Sequence, residues 1–134
     1  MSGAAAADAG GAIADSCALV VYLSDPDPRA AMPNAYEWMR HRAVYVPPLV
    51  VLEMARKMQT GALPKLPIDL PVALRQRGFL FLPMTWEVAD ATAKLPPIHK
   101  DPIDRALVAH STTQKMPVLT CDTVIPRYGV RTIW

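Results

Sequence analysis

Four acidic residues stand where their type and placement could do chemistry: Asp15, Glu53, Asp104 and Asp122. Carboxylates gathered at one point raise each other's pKa, because like charges resist ionising together. A divalent cation removes that penalty. Hard oxygen donors at strand ends suit Mg²⁺, with Mn²⁺ as the alternative, held through a few carboxylates with water retained. A cation so held can orient water and stabilise charge on a phosphoryl group.

Each acid also has an ordinary structural role open to it. Asp15 precedes a helix and suits its N-cap. Asp122 opens "DTVIP" and suits a turn. Glu53 lies four residues before Lys57, the spacing of a helical ion pair, yet it sits in the most apolar part of its segment, after Leu49, Val50 and Leu52. In "HKDPIDRALVAH" two aspartates compete. Asp101 precedes Pro102 and fits an N-cap with proline at the first helical position. Asp104, at the third, is free for chemistry or for a capping box and the helix dipole. Asp104 is therefore favoured as the third site acid, with Asp101 as cap.

Other reactive types are weaker candidates. His41, His99 and His110 show no mutual metal spacing and read as surface or packing residues. Cys17 and Cys121 neighbour the acids, but thiolates favour Zn²⁺ over Mg²⁺, so both read as semi-buried thiols. Arg56, Lys57, Lys100 and Arg105 flank the acids and could meet a phosphate backbone, or simply cover solvated helix faces.

The elements must bring these residues together. A short strand ends at Asp15, and a helix follows from Ser16 to about Ser24. "DPDPRAAMPNAYEWMRHR" begins as turn and becomes a second helix. Ala43–Val46 is strand-like; Pro48 starts a helix that stops at Gly61. After the proline-broken connector "GALPKLPIDLP" come a short helix from Val72, a buried strand at Phe79–Met84 and a helix capped by Thr85. A helix from Pro102 to Lys115, a strand at Pro117–Cys121 and a final strand in "VRTIW" complete the chain. Strands alternating with helices predict an α/β fold: a doubly wound parallel sheet of about five strands with helices on both faces. Ligands bind such sheets beyond the strand carboxyl ends, where strand order reverses. Sequence alone does not say whether the strands ending near Asp15 and Asp122 are neighbours.

Composition sets the frame. The chain has 134 residues, 51% hydrophobic and 19% charged, which suits one globular domain. Residues 1–11 are expected to form a disordered tail and 12–134 the domain. No apolar run nears the roughly 18–20 residues of a membrane helix, and the start lacks the features of a signal peptide, so a cytoplasmic protein with reduced thiols is expected. A net charge of +2 excludes a strongly basic nucleic-acid coat but not a local basic patch. Tyr36, Trp38 and Met39 crowd one short segment, which suggests a homodimer contact or burial in the core.

The whole pattern resembles a PIN-domain ribonuclease of the VapC toxin type. "IADSCALVVYLSD" looks like that family's first strand and helix. "VPPLVVLEMARKMQTGALPKL" is similar to its glutamate segment, and "LPPIHKDPIDRALVAHS" and "VLTCDTVIPRYGVRTIW" to its last two blocks. The likeness runs from Ala12 to Trp134, and the last two blocks are its specific part. It implies that Asp15, Glu53, Asp104 and Asp122 are the metal-binding acids and that Thr120 is the hydroxyl two before the last. It further implies Mg²⁺-dependent endonucleolytic cleavage of RNA, homodimerisation, and inhibition by a cognate antitoxin. Two departures stand out: Val50 replaces a small hydroxyl residue three before the glutamate, and Ala62 replaces a connector lysine. Both are expected at the site rim. The rivals are a catalytically weak PIN domain that binds RNA or an antitoxin, and a haloacid-dehalogenase-like phosphatase. The second needs an aspartate at position 17, where Cys17 stands.

Overall fold

The structure is a computed structural model that describes residues 10–134. Most of the expected tail, residues 1–9, lies outside the described residues. Gly10 forms a turn and Gly11 is buried at the entry to the sheet.

Five short strands form one parallel sheet: β1 (Ala12–Ala14), β2 (Val44–Val46), β3 (Leu80–Phe81), β4 (Val118–Leu119) and β5 (Thr132–Ile133), in the order β3-β2-β1-β4-β5. β1 is central and buried throughout. It pairs on one side with β2 (Ala12 opposite Val44) and on the other with β4 (Ile13 opposite Val118). The chain therefore winds outward from β1 to β3 and then crosses back to β4. Because such crossovers are right-handed, the two halves place their helices on opposite faces. The expected doubly wound α/β sheet is what the chain forms, and the reversal of order falls between β1 and β4.

The helices begin where caps and prolines dictate. α1 (Ser16–Ser24) starts at Asp15, whose Oδ1 accepts from the Ser16 amide at 2.6 Å. The single helix expected next is two, α2 (Pro28–Ala31) and α3 (Pro33–His41). Met32, forced out of helical conformation by the proline after it, separates them. α4 (Pro48–Thr60) opens on its proline and ends at Gly61, whose φ of +83° suits only a residue without a Cβ. α5 (Leu70–Gln76) begins two residues earlier than expected, because Asp69 caps the Val72 amide at 3.1 Å and Pro71 fits the first turn. α6 (Trp86–Thr92) is capped by Thr85, and α7 (Pro102–Gln114) by Asp101. A 3₁₀ turn at Ile125–Tyr128 leads into β5.

Two expectations need correction. β3 is not a buried strand: it lies at the sheet edge, with Leu80 43% and Phe81 71% exposed. An apolar run of that length cannot distinguish a central strand from an edge one. The aromatic segment of α3 is no open contact surface either. Trp38 is buried and donates its indole N–H to Ala43 O at 3.2 Å, while Tyr36 and Met39 pack against the core. No helix among the described residues is long and apolar enough to cross a membrane.

Candidate active site

Asp15 directly follows β1, and Thr120 and Asp122 follow β4, so the pairing of these strands sets them side by side at the carboxyl edge. The Asp15 amide donates to Leu119 O at 3.1 Å, extending the ladder by one rung. The Thr120 hydroxyl then joins the two acids. It donates to Asp15 Oδ2 at 2.7 Å and accepts from the Asp122 amide at 3.0 Å. Asp122 keeps its turn role, accepting from the Val124 amide through Oδ1 at 2.7 Å, which leaves its second oxygen free.

α7 brings the third acid. Asp101 is the cap, accepting from the Ile103 amide at 2.8 Å and the Asp104 amide at 3.4 Å. Asp104, one turn later, turns toward the strand ends, with His99 Nε2 3.1 Å from its Oδ2. Ligand atoms of His99, Asp104 and Asp122 all lie within 4.8 Å of one another. Burial, and then the negative charges of Asp15, Asp101 and Asp122, push the Asp104 carboxyl up to about 7, against the opposing influence of His99. That is the penalty expected of carboxylates gathered without a cation.

Glu53 stands one hydrogen bond away. It is buried on α4, where α1 packs against that helix, and its Oε1 accepts from Ser16 Oγ at 2.7 Å. Its Oε2 lies 3.8 Å from Lys57 Nζ, so the ion pair anticipated from spacing also forms. Neither Glu53 nor Asp15 is among the residues whose ligand atoms converge on Asp104 and Asp122; His99 is the third member of that group.

Several expectations change here. Arg105 is not available to a phosphate: its guanidinium donates to the carbonyls of Thr92, Leu95, Pro96 and His99 and to the Tyr128 hydroxyl, at 2.7–3.3 Å. Arg56 and Lys100 are exposed. Cys121 is exposed rather than semi-buried. Cys17 is half-buried, and burial together with the Asp15 charge pushes its thiol up to about 12, so it remains a neutral thiol beside Thr120. Val50 belongs to the core, not to a rim. His41 pairs with Glu37 at the surface, and His110 is fully buried with neither ring nitrogen hydrogen-bonded. His99 and Ser16 are the participants that a spacing analysis passes over. His99 is no surface residue but the neighbour of Asp104, and its one signal in sequence is its place two residues before the cap.

The donor set suits a hard divalent cation. Asp15, Asp104 and Asp122 present oxygen, and the raised Asp104 marks charge that a cation would relieve. A surface cleft of about 570 Å³ lies elsewhere, between α3 and β5, and none of these acids lines it.

The sequence matches the PIN domain family over residues 12–130. By structure it is similar to FitAcB from Neisseria gonorrhoeae (TM-score 0.62, 16% identity, covering 91% of this chain and 96% of that one). It is also similar to FitAB bound to an IR36 DNA fragment (TM-score 0.61, 20% identity, covering 90% and 92%). A third is VapBC2 from Rickettsia felis bound to a DNA fragment from their promoter (TM-score 0.64, 9% identity, covering 91% and 96%). At such identities the likeness is one of fold. Comparison with curated proteins gives no match.

Proposed function

Because the chain belongs to the PIN domain family, we propose that it is a metal-dependent endoribonuclease of the VapC toxin type, held in check by a cognate antitoxin. The observation that carries this reading is the convergence of Asp104 and Asp122 at the strand-order reversal, with Asp15 joined to Asp122 through Thr120 and its charge helping to raise Asp104 to about 7. Asp15, Asp104 and Asp122 would hold Mg²⁺ or Mn²⁺, directly or through water, and Glu53 would complete the shell or orient the attacking water. The cation would supply charge stabilisation at the phosphoryl oxygens and polarise water.

The chain's own groups prepare the site. Thr120 and the Ser16 amide occupy opposite oxygens of Asp15, fixing its plane. Ser16 Oγ and Lys57 Nζ likewise hold the two oxygens of Glu53. Asp104 gives up its proton near neutral pH, so the site reaches full negative charge only when something positive balances it. Arg56 and Lys100, both exposed, would meet the RNA backbone.

The partner readings follow the same resemblance. A net charge of +2 offers little affinity for DNA, so any promoter binding of the kind seen with VapBC2 would come through an antitoxin. A homodimer acting in the cytoplasm completes the proposal, with Trp38 committed to the core rather than to its contact. The test is cleavage of RNA by the purified chain with Mg²⁺, with Mn²⁺ and with EDTA. We expect cleavage that EDTA abolishes and that Asp15→Asn and Asp122→Asn each reduce by orders of magnitude. Cleavage that survives EDTA and both substitutions would overturn the reading. RNA binding without any cleavage would favour the rival of a catalytically weak binding module.

A further inference from the structure

His99 reaches the site through an unusual pair of bonds. Its Nδ1 accepts from the Asp101 amide at 3.1 Å. A neutral imidazole has one acceptor and one donor nitrogen, so the proton sits on Nε2. That nitrogen faces Asp104 Oδ2 at 3.1 Å. A ring whose Nδ1 lone pair is occupied and whose Nε2 carries the proton has none left for a cation. Although its nitrogen lies within 4.8 Å of ligand oxygens of Asp104 and Asp122, His99 is therefore a donor to a ligand and not a ligand.

The backbone of His99 is held as firmly as its ring. Its amide donates to the Tyr128 hydroxyl at 2.7 Å, and its carbonyl accepts from Arg105 Nη1 at 3.2 Å. Arg105 Nη1 also donates to the Tyr128 hydroxyl at 3.3 Å. Arg105 directly follows Asp104 on α7. One helical turn thus carries both the carboxylate and the clamp on the loop that aims a donor at it.

We infer that His99 is a positioning residue for the metal site: its Nε2–H fixes the Asp104 carboxylate so that the other oxygen faces the cation, and Arg105 and Tyr128 fix His99. The inference rests on the metal-site reading above. Partners of this kind orient ligating groups, and their loss typically weakens metal affinity about 10–100-fold.

The test is a titration of the full chain with Mn²⁺, followed by the EPR signal of free Mn²⁺, on the wild type, Asp122→Asn, His99→Leu and His99→Gln. His99→Leu should weaken binding about 10–100-fold. His99→Gln should restore most of the affinity, because its side-chain amide can still donate to Asp104. Should His99→Leu fail to fold by circular dichroism, His99→Asn replaces it with the same expectation, since its shorter amide reaches the Asp101 amide but not Asp104. Pulsed EPR of wild-type-bound Mn²⁺ should show no coupling to a directly bound imidazole nitrogen. A directly bound nitrogen that disappears in His99→Gln would make His99 a ligand and overturn the inference. So would a donor-less variant that binds like the wild type while Asp122→Asn binds weakly. If Mn²⁺ binding does not saturate in the wild type, or is unchanged by Asp122→Asn, the metal-site reading itself fails and takes the inference with it.

Discussion

The two aspartates of "DPID" lie three positions apart with different partners, Asp101 capping α7 and Asp104 facing His99 and Asp122, and paired substitutions test whether their roles differ as proposed. Asn caps a helix about as well as Asp, so Asp101→Asn should leave stability nearly unchanged, whereas Asp101→Ala should cost ~0.5–2 kcal/mol. RNA cleavage per folded molecule should survive both. Asp104→Asn should cut cleavage by orders of magnitude yet raise the melting temperature of the metal-free protein, because it removes a carboxylate that burial and its neighbours hold near 7. If Asp101→Asn abolishes cleavage and Asp104→Asn spares it, the two roles are reversed. At this scale the cap role of Asp101 was legible in the sequence, since cap chemistry alone separates it from Asp104. His99 was not, because its role depends on which ring nitrogen is already occupied, and that follows from a backbone path. Spacing could not find Ser16 as the link between Asp15 and Glu53 either; that link forms only where α1 packs on α4.

Among the elements, the segment between α6 and α7 has only turns and bends of its own, and Arg105 ties them together from α7. A planar guanidinium with five donors meets four carbonyls and a hydroxyl. Arg105→Ala would leave those acceptors unpaired, at a cost of about 2–4 kcal/mol, given roughly 1.5–3 kcal/mol for a bond to a charged group and partial replacement by water. Arg105→Lys should recover only part of this, because a single ammonium cannot reach acceptors spread along the loop. Hydrogen exchange of the amides of Ala93, Lys94, Leu95, Ile98 and His99 reads the effect directly: protection should fall in both variants, and unchanged protection would show that the loop is ordered by other means. Helix boundaries were largely legible, as capping residues and prolines are local signals. The position of β3 was not, because "FLFLP" pairs on one side only and edge status depends on which strands arrive later in the chain. The break at Met32 could have been read from Pro33.

Across the whole molecule, the strand order that joins Asp15 to Asp122 was the part that periodicity could not supply; it is a long-range property, fixed by β4 returning to β1 rather than extending from β3. Two buried titratable groups on α7 then impose opposite pH dependences on the same fold. Burial holds His110 neutral, with its pKa lowered from 6.5 to about 4. Between those values the unfolded chain binds a proton that the folded one refuses, so this contribution is lost as pH falls toward 4. Asp104 is raised from 3.8 to about 7, so the folded chain binds the extra proton, and its contribution is lost as pH rises through that interval. At about 1.4 kcal/mol per pH unit each has a ceiling of about 3–5 kcal/mol, and the two largely cancel between roughly pH 4 and 6.5. Melting temperatures in EDTA should therefore vary little with pH in the wild type over that range. Asp104→Asn should uncover a stability that rises with pH, and His110→Leu one that falls with it. Because a bound cation keeps Asp104 ionised, the stabilisation by Mn²⁺ should be larger near pH 7.5 than near pH 5.5. The same pH profile in wild type and both variants would show that neither group is shifted as its surroundings imply. A Mn²⁺ effect independent of pH would place the cation away from Asp104.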